Sequence, residues 1–347
     1  MKQLQKFLLT GLLMLLSPVS MALETVSLQF EWLYQFEYSG FIAAKEKGFY
    51  EEAGLNVEFR EYKPGENNIQ KVLDGEINYG IHNSSLIIEN QKLVNNVLLA
   101  TYLQKSPLVF VTDKSIKRPY DLAGKKIMGT SEEFKFSSLA LLLNHFQVNA
   151  SNTTFKEHSF EIEDFISGKV DAMSAFRTNQ FYMLDKLGIE YNVIDPADYG
   201  YSTGAVNLYA SYNEVEKNPQ RTQRFVEASN KGWKYALEHK EEIIQIIFDK
   251  YSQKKSLEAL RYEADKTQAI MLLDLFPIGF ISQELSKRTF SHLKLAGMIA
   301  PDTKYHFTTL GDILHHKASI HEFTEQQESY LNNKKQLNLC IDPQWMP

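Results

Sequence analysis

The sequence predicts an α/β protein of two lobes, each a mostly parallel sheet flanked by helices, with the chain crossing twice between them. Three observations carry this. Strand-like and helix-like stretches alternate from Ser27 onward, and such alternation builds parallel sheets covered by helices. A second αβ block, Leu108 to Ile194, lies inside the first, so the helices after it have only the opening sheet to pack on. The first strand also runs into an aromatic turn, Trp32, Tyr34, Phe36 and Tyr38, with Gln35 and Glu37 between the rings. Open α/β sheets bind ligands at that place, outside the carboxyl ends of their strands.

The elements follow in order. Ser27–Trp32 alternates apolar and polar positions, the two-residue period of a strand. After the turn come a helix broken at Gly48, a second short helix and a strand ending near Phe59. A helix at Asn67–Asp74 follows the Pro64-Gly65 turn; then come the strand Ile77–Ile81, a helix through Leu86–Lys92 and the apolar run Val97–Tyr102. The inner block reads as strand Leu108–Thr112, a helical stub within Lys117–Gly124, strand Lys125–Gly129 and helix Phe136–Phe146. It continues with strand Thr153–His158, helix Ile162–Ser167, strand Ala172–Phe176, helix Asn179–Leu187 and strand Tyr191–Ile194. Asn218-Pro219 opens a long helix, with Asn as cap and Pro in the first turn. Helices at Glu241–Lys250 and Ser256–Leu273 continue it. The crossings then fall near Gln104–Pro107 and Tyr201–Asn207, which assigns 23–105 and 207–320 to lobe 1 and 106–206 to lobe 2. Between such lobes lies a cleft with a hinge.

The two ends differ from the body. Lys2 and Lys6, the apolar run Phe7–Leu16 and the small-x-small site Ser20-Met21-Ala22 read as a Sec-type signal peptide, residues 1–22, cleaved after Ala22. No other stretch is long and apolar enough to span a bilayer. An exported, periplasmic protein is expected. Cys340 is the only cysteine, so no intrachain disulfide forms, and a body of this size buries an adequate core without one. The formal charge is -6, more acidic still once Lys2 and Lys6 leave, with no basic stripe; nucleic acid is not an expected partner. Residues 321–347 read as a helix-linker, opened by the Thr324–Gln327 capping box, and a lone strand, Leu337–Ile341.

Four segments together carry a family resemblance: the opening unit, GEINYGIHNSS (Gly75–Ser85), PYDLAGKKIMGT (Pro119–Thr130) and ISGKVDAMSAF (Ile166–Phe176). They resemble the NMT1/THI5-like (SsuA/THI5-like) branch of type II periplasmic binding proteins, over about Ser27 to Pro301. The resemblance implies the Venus-flytrap fold and a solute receptor for thiamine-precursor pyrimidines or sulfonates. The opening unit is especially similar to the form found in bacterial sensory proteins. LNLCIDPQWMP (Leu337–Pro347) resembles the start of a second solute-binding domain, so the chain reads as the beginning, or a truncated relative, of a larger receptor. One branch of the family is an enzyme, the thiamine pyrimidine synthase, which holds pyridoxal phosphate on a lysine, consumes its own histidine and carries a cysteine-rich motif. Aligned on it, His82 stands at the lysine position and Leu86 at the histidine, and Ser202–Leu208 has no cysteine. Imidazole forms no pyridoxal Schiff base. The enzyme reading fails at all three places, and no cofactor is expected.

The site residues follow from the strand ends. Trp32, Gln35, Phe36 and Tyr38 are expected to hold a flat heterocycle by stacking and hydrogen bonding; alternatively Phe36 and Tyr38 cap the lobe-1 core. Glu37 reads as a solvated carboxylate sooner than as a ligand for an amine. His82, Asn83, Ser84 and Ser85 follow a strand, and either cap a helix or face the cleft. Thr130, Ser131 and Glu132, and the corner Phe176, Arg177, Thr178 and Asn179, supply the opposite wall. Arg177 meets either an anionic ligand group or an interlobe carboxylate. Tyr199, Tyr201 and Asn207 sit at the return crossing and close the rim. His315, His316 and His321 lack the spacing of a metal site. The expected protein is a monomer that closes over a small polar ligand, its partner an ABC importer permease or attached signalling domains.

Overall fold

Two five-stranded sheets divide the strands of the chain. The computed structural model describes residues 22–63, 65–83 and 95–319. The first sheet has the strands β1 (Glu24–Gln29), β2 (Leu55–Arg60), β3 (Tyr79–His82), β4 (Asn96–Leu103) and β10 (Ala205–Ser211) in the order β2-β1-β3-β10-β4. The second has β5 (Leu108–Thr112), β6 (Lys126–Gly129), β7 (Thr154–Glu157), β8 (Ala172–Phe176) and β9 (Asn192–Ile194) in the order β7-β6-β8-β5-β9.

In each sheet one strand runs against the other four. β10 is antiparallel to both β3 and β4, and β5 is antiparallel to both β8 and β9. These two strands are the ones that follow the crossings. A strand that starts where the previous sheet's strand ended enters its own sheet from the carboxyl edge. The register shows it: Leu108, the first residue of β5, lies opposite Phe176, the last of β8. Ala205, the first of β10, lies opposite Leu103, the last of β4. Both crossings therefore leave and arrive at carboxyl edges, so those edges border the same space. The crossings are also tied to each other, since the Ser106 N–H donates to the Thr203 carbonyl at 2.7 Å.

Helices cover the first sheet through one close contact. α1 (Ser39–Glu46) and α2 (Phe49–Glu52) follow the aromatic turn, itself a 3-10 turn over Phe36–Tyr38. The long helix α9 (Pro219–Glu238), reached through α8 (Tyr212–Lys217), lies on α1. Gly40 and Gly232 permit the approach. A Cβ on Gly232 would stand 2.1 Å from the Gly40 carbonyl oxygen, and one on Gly40 would overlap the Trp233 ring at 2.1 Å. The fully buried Trp233 stacks on Tyr102 at 5.1 Å and meets Phe41 edge-on at 6.1 Å. As the order of elements predicts, the later helices return to the opening sheet. α10 (Lys240–Ile246) runs into a π turn, Ile247–Tyr251, and α11 (Leu257–Met271) packs on the aromatic turn.

Some elements differ from the sequence expectation. The helix expected over Phe136–Phe146 is two, α4 (Ser131–Phe136) and α5 (Ser138–His145). Ser137 separates them: its hydroxyl donates to the Glu133 carbonyl and accepts from the Leu139 and Ala140 amides, capping the second helix. Asn218 precedes α9 but makes no side-chain cap. β10, read as a crossing, is a buried strand. α12 (Gln283–Leu295) was not foreseen, and it packs Phe290 and Leu293 against Leu141 of α5, on the second sheet. α3 (Asn68–Leu73), α6 (Glu163–Ile166) and α7 (Gln180–Lys186) stand where the sequence places helices, and α13 (Leu310–Ser319) adds a further one. The signal peptide, the helix at Leu86–Lys92 and the tail 321–347 lie outside the described residues. Among the described residues no helix is long and apolar enough to cross a membrane.

Candidate functional site

The carboxyl edge of the first sheet carries a connected polar network. The backbone of β10 sets it up. Val206 holds φ at 51°, a conformation that β-branched residues rarely adopt, and the next residue, Asn207, lies opposite His82 and Thr101. Thr101 Oγ1 donates to Asn207 Oδ1 at 2.8 Å, and Asn207 Nδ2 donates to the Asn83 carbonyl at 3.0 Å. Asn83 Nδ2 in turn donates to Glu31 Oε1. His82 Nδ1 lies 3.9 Å from the same oxygen, yet burial holds its pKa down at about 4, against hydrogen bonds with Asn83 that favour the charged form. The imidazole is therefore neutral at pH 7. Its contact with Glu31 is not an ion pair.

The aromatic turn divides its rings between cleft and core. Trp32 stacks on Tyr62 at 5.0 Å and 28°, and touches Phe160 of the second unit at 5.7 Å. Phe160 is 60 % exposed, has φ of 62°, and stacks on His158 at 4.8 Å. Its amide donates to His158 Nδ1 at 2.9 Å. Trp32 is thus where the two walls meet. Phe36 goes the other way. It is fully buried with Ile42, Ala236, Ile243 and Leu260, a core residue that a solute in the cleft does not reach. Tyr38 is also almost wholly buried, packed on Phe30 at 4.9 Å, and its hydroxyl is held well above the usual tyrosine range by burial first, then by Glu37, Glu31 and Glu263. The alternative given above, that Phe36 and Tyr38 cap the core, describes both.

Glu37 corrects the expectation of a solvated carboxylate. It is only 7 % exposed. Gln35 Nε2 donates to its Oε2 at 2.6 Å, and its own amide donates to Glu263 Oε1 of α11 at 2.9 Å. Glu263 is fully buried and accepts from Lys255 Nζ at 2.8 Å. Burial, and next the Glu263 charge, push the Glu37 pKa up to about 7; Lys255 and Gln35 oppose the shift.

On the second sheet the expected residues serve the helix ends. Thr130 and Glu133 form a capping box at the start of α4, and Ser174 Oγ donates to Glu133 Oε2 at 2.6 Å. Ser131 Oγ donates to Glu157 Oε2 at 2.7 Å, and Glu132 is exposed. Arg177 is paired with Asp195, which also accepts Lys105 Nζ at 2.7 Å. Of the two partners left open above, an anionic ligand group or an interlobe carboxylate, the structure shows a carboxylate, but an internal one, between strand ends of the same sheet. The Phe176 amide donates to Gln180 Oε1, and the Asn179 amide to the Phe176 carbonyl. Tyr201 points away from the strand-end network, its hydroxyl on His145 Nδ1 at 2.6 Å and its ring on His292 at 4.9 Å. It does not close the rim near Trp32. Ser84 and Ser85 lie outside the described residues, as do the side chains of His315, His316 and His321.

The structure thus brings His82, Asn83 and Asn207 into one network beside Trp32, leaves Gln35 on the buried Glu37, and adds residues the sequence reading did not name. Tyr62, Phe160 and Asp195 each follow a strand by one to three positions, so attention to every strand end would have found them. Glu263 sits mid-helix and carries no such signal.

A family model described as NMT1/THI5 like matches residues 35–243. Among curated proteins, the formylaminopyrimidine-binding protein of Halalkalibacterium halodurans is 23% identical over 233 residues, covering 65% of this chain and 70% of that one. Riboflavin-binding protein RibY of Chloroflexus aurantiacus is 23% identical over 292 residues, 80% of this chain and 82% of its own. Among solved structures, the periplasmic aliphatic sulphonate binding protein SsuA of Escherichia coli superposes with a TM-score of 0.62 at 17% identity, covering 84% of this chain and 96% of that one. The desulfurization enzyme DSZB shares the fold at a TM-score of 0.55 and 14% identity, covering 85% of this chain and 99% of its own.

Proposed function

The chain belongs to the NMT1/THI5-like family, and from that premise we propose that it binds a small, flat, polar solute in the cleft between its two sheets. The observation that carries the reading is the juxtaposition of the Trp32–Tyr62 stack with the Glu31–Asn83–Asn207 network at one carboxyl edge, faced by Phe160. Rings offer a stacking face, and the amides offer donors and acceptors that read a heterocycle's edge. The two relatives named above as binding proteins, one for a formylaminopyrimidine and one for riboflavin, support the same reading. We take the protein to be exported, acting as a monomer, with its closed form recognised by an importer permease or by attached signalling domains. Function then lies in the population of the closed state and not in bond chemistry.

The enzyme alternative has its support in the fold alone, through DSZB. His82 as an imidazole cannot replace the Schiff-base lysine of the pyrimidine synthase branch.

A thermal-shift screen of pyrimidines, flavins, sulfonates and amino acids tests the proposal. A bound solute at about 100-fold excess over Kd stabilises by about 2.7 kcal/mol. Trp32→Ala is expected to remove the shift. A shift that survives Trp32→Ala undiminished refutes the placement of the site.

A further inference from the structure

Resting on that cleft-binding reading, we infer that His158 is a positioning residue: as a neutral imidazole it holds Phe160 over Trp32, and once protonated it lets that wall of the cleft go. His158 follows β7 directly, and both its ring nitrogens are taken by backbone groups of opposite character. Nε2 lies 3.1 Å from the Ser174 carbonyl of β8, a group that only accepts, so Nε2 carries the proton. Nδ1 lies 2.9 Å from the Phe160 amide nitrogen, a group that only donates, so Nδ1 is the acceptor. The two partners together fix one neutral tautomer.

Phe160 depends on that acceptor. It is 60 % exposed, so core packing does little to hold it, and its backbone stands at φ of 62°, where a non-glycine residue is strained. The side chain two residues back fixes it there. Nδ1 of that imidazole takes the Phe160 amide, and the two rings lie nearly parallel, at 4.8 Å and 12°. From this position the Phe160 ring reaches Trp32 of the other unit at 5.7 Å. A proton on Nδ1 turns the acceptor into a donor that faces another donor. The amide bond is then lost, the left-handed residue loses its anchor, and the ring leaves Trp32 more readily.

Solute binding and protonation of His158 therefore oppose each other. A solute that needs the Phe160 wall selects the neutral imidazole, so affinity falls as the pH drops through the range where imidazoles gain charge, about 5 to 8. The charged groups on the elements around the ring are Glu133 of α4, on the Ser174 hydroxyl; Glu157, on Ser131; Asp164 of α6, on Lys169; Glu161 of the same loop; and Glu31, next to Trp32. An asparagine at 158 leaves all of them in place. Its Oδ1 accepts an amide two residues on, as in an Asx-turn, and takes up no proton in this range.

Two measurements on the full chain test this, the first without any solute. In nitrogen NMR spectra of the histidine rings, the signals lost in His158→Asn identify residue 158. They are expected to show the Nε2–H tautomer at about pH 7.5, and the Phe160 amide resonance is expected to follow the ring's titration down to about pH 5. A ring that carries its proton on Nδ1, or gains no charge over that range, overturns the inference, as does a Phe160 amide blind to the titration. The second measurement titrates riboflavin, uncharged over this range, by its own fluorescence. Wild-type affinity is expected to fall about threefold to tenfold from the upper pH to the lower, the loss of one hydrogen bond. His158→Asn is expected to bind nearly as the wild type at the upper pH and to lose the step, and His158→Ala to bind weakly throughout. Glu37 and His82 titrate identically in every variant, so a step that survives in His158→Asn overturns the inference. Riboflavin binding that Trp32→Ala leaves undiminished, or no binding at all, counts against the cleft-binding reading, and the spectra alone then decide the role of His158.

Discussion

Burying Glu37 beside Glu263 makes ionisation costly, and that cost gives the protein a measurable pH dependence. The folded pKa is raised to about 7 from an ordinary 4.5. Between those values the folded state holds a proton that the unfolded state has released, so this group lowers stability as pH rises through the window. Below about 4.5 both states are protonated and the penalty vanishes. Glu37→Gln removes the titration. Its melting temperature is therefore expected to exceed that of the wild type by an amount that is small at pH 4.5, grows through the window and levels off above pH 7. Melting curves that shift in parallel across that range would show that the carboxyl titrates normally. Sequence alone did not show this residue's state. Burial depends on Glu263 and Lys255, which lie more than 200 residues away in the chain, and no local pattern marks a carboxylate that tertiary packing will cover. Trp32 was legible for the opposite reason: an aromatic ring just past a strand end is a local signal.

Among the elements, the contact between α1 and α9 holds the opening sheet to its later cover. Gly232 meets backbone, not a flexible side-chain tip, at 2.1 Å, so neither helix can yield locally. Gly232→Ala is expected to destabilise by about 1–3 kcal/mol, the usual cost of overpacking. Urea unfolding with an unchanged slope measures it, and a loss below 0.5 kcal/mol would mean the helices separate more easily than the packing implies. Strands with alternating or β-rich sequence were readable to within a few residues, Leu108–Thr112 and Ala172–Phe176 without error. β10 was not, because Ala205–Ser211 is buried on both faces and includes Asn207, a poor strand former, after a glycine. The split of the helix at Ser137 was hidden too, since a serine serves equally as helix interior or as cap until its hydrogen bonds are known.

At the scale of the whole molecule, the order of sheets and crossings was legible from the interleaving of αβ blocks, because a chain that leaves a sheet and returns must cross twice. The contacts that now bridge the two units were not. Trp32 meets Phe160, Tyr182 of α7 meets Tyr262 of α11 at 5.5 Å, and α12 lies on α5. Phe160 holds a left-handed backbone while 60 % exposed, a conformation that costs free energy in a non-glycine residue. Its ring meets Trp32 across the two units. Phe160→Ala is expected to change unfolding free energy by less than about 0.5 kcal/mol, as at most surface sites, while weakening solute binding and speeding release. Equal affinity in the variant and the wild type would remove Phe160 from the closing wall.

The central claim, a solute held between the two carboxyl edges, is tested most directly by the position of a bound solute in a crystal structure of the complex. The account predicts a flat ring against the Trp32–Tyr62 stack, with its polar edge within hydrogen-bonding distance of Asn83 or Asn207 and Phe160 closing over it. A solute seated elsewhere, with Trp32 and Asn207 untouched, would contradict it.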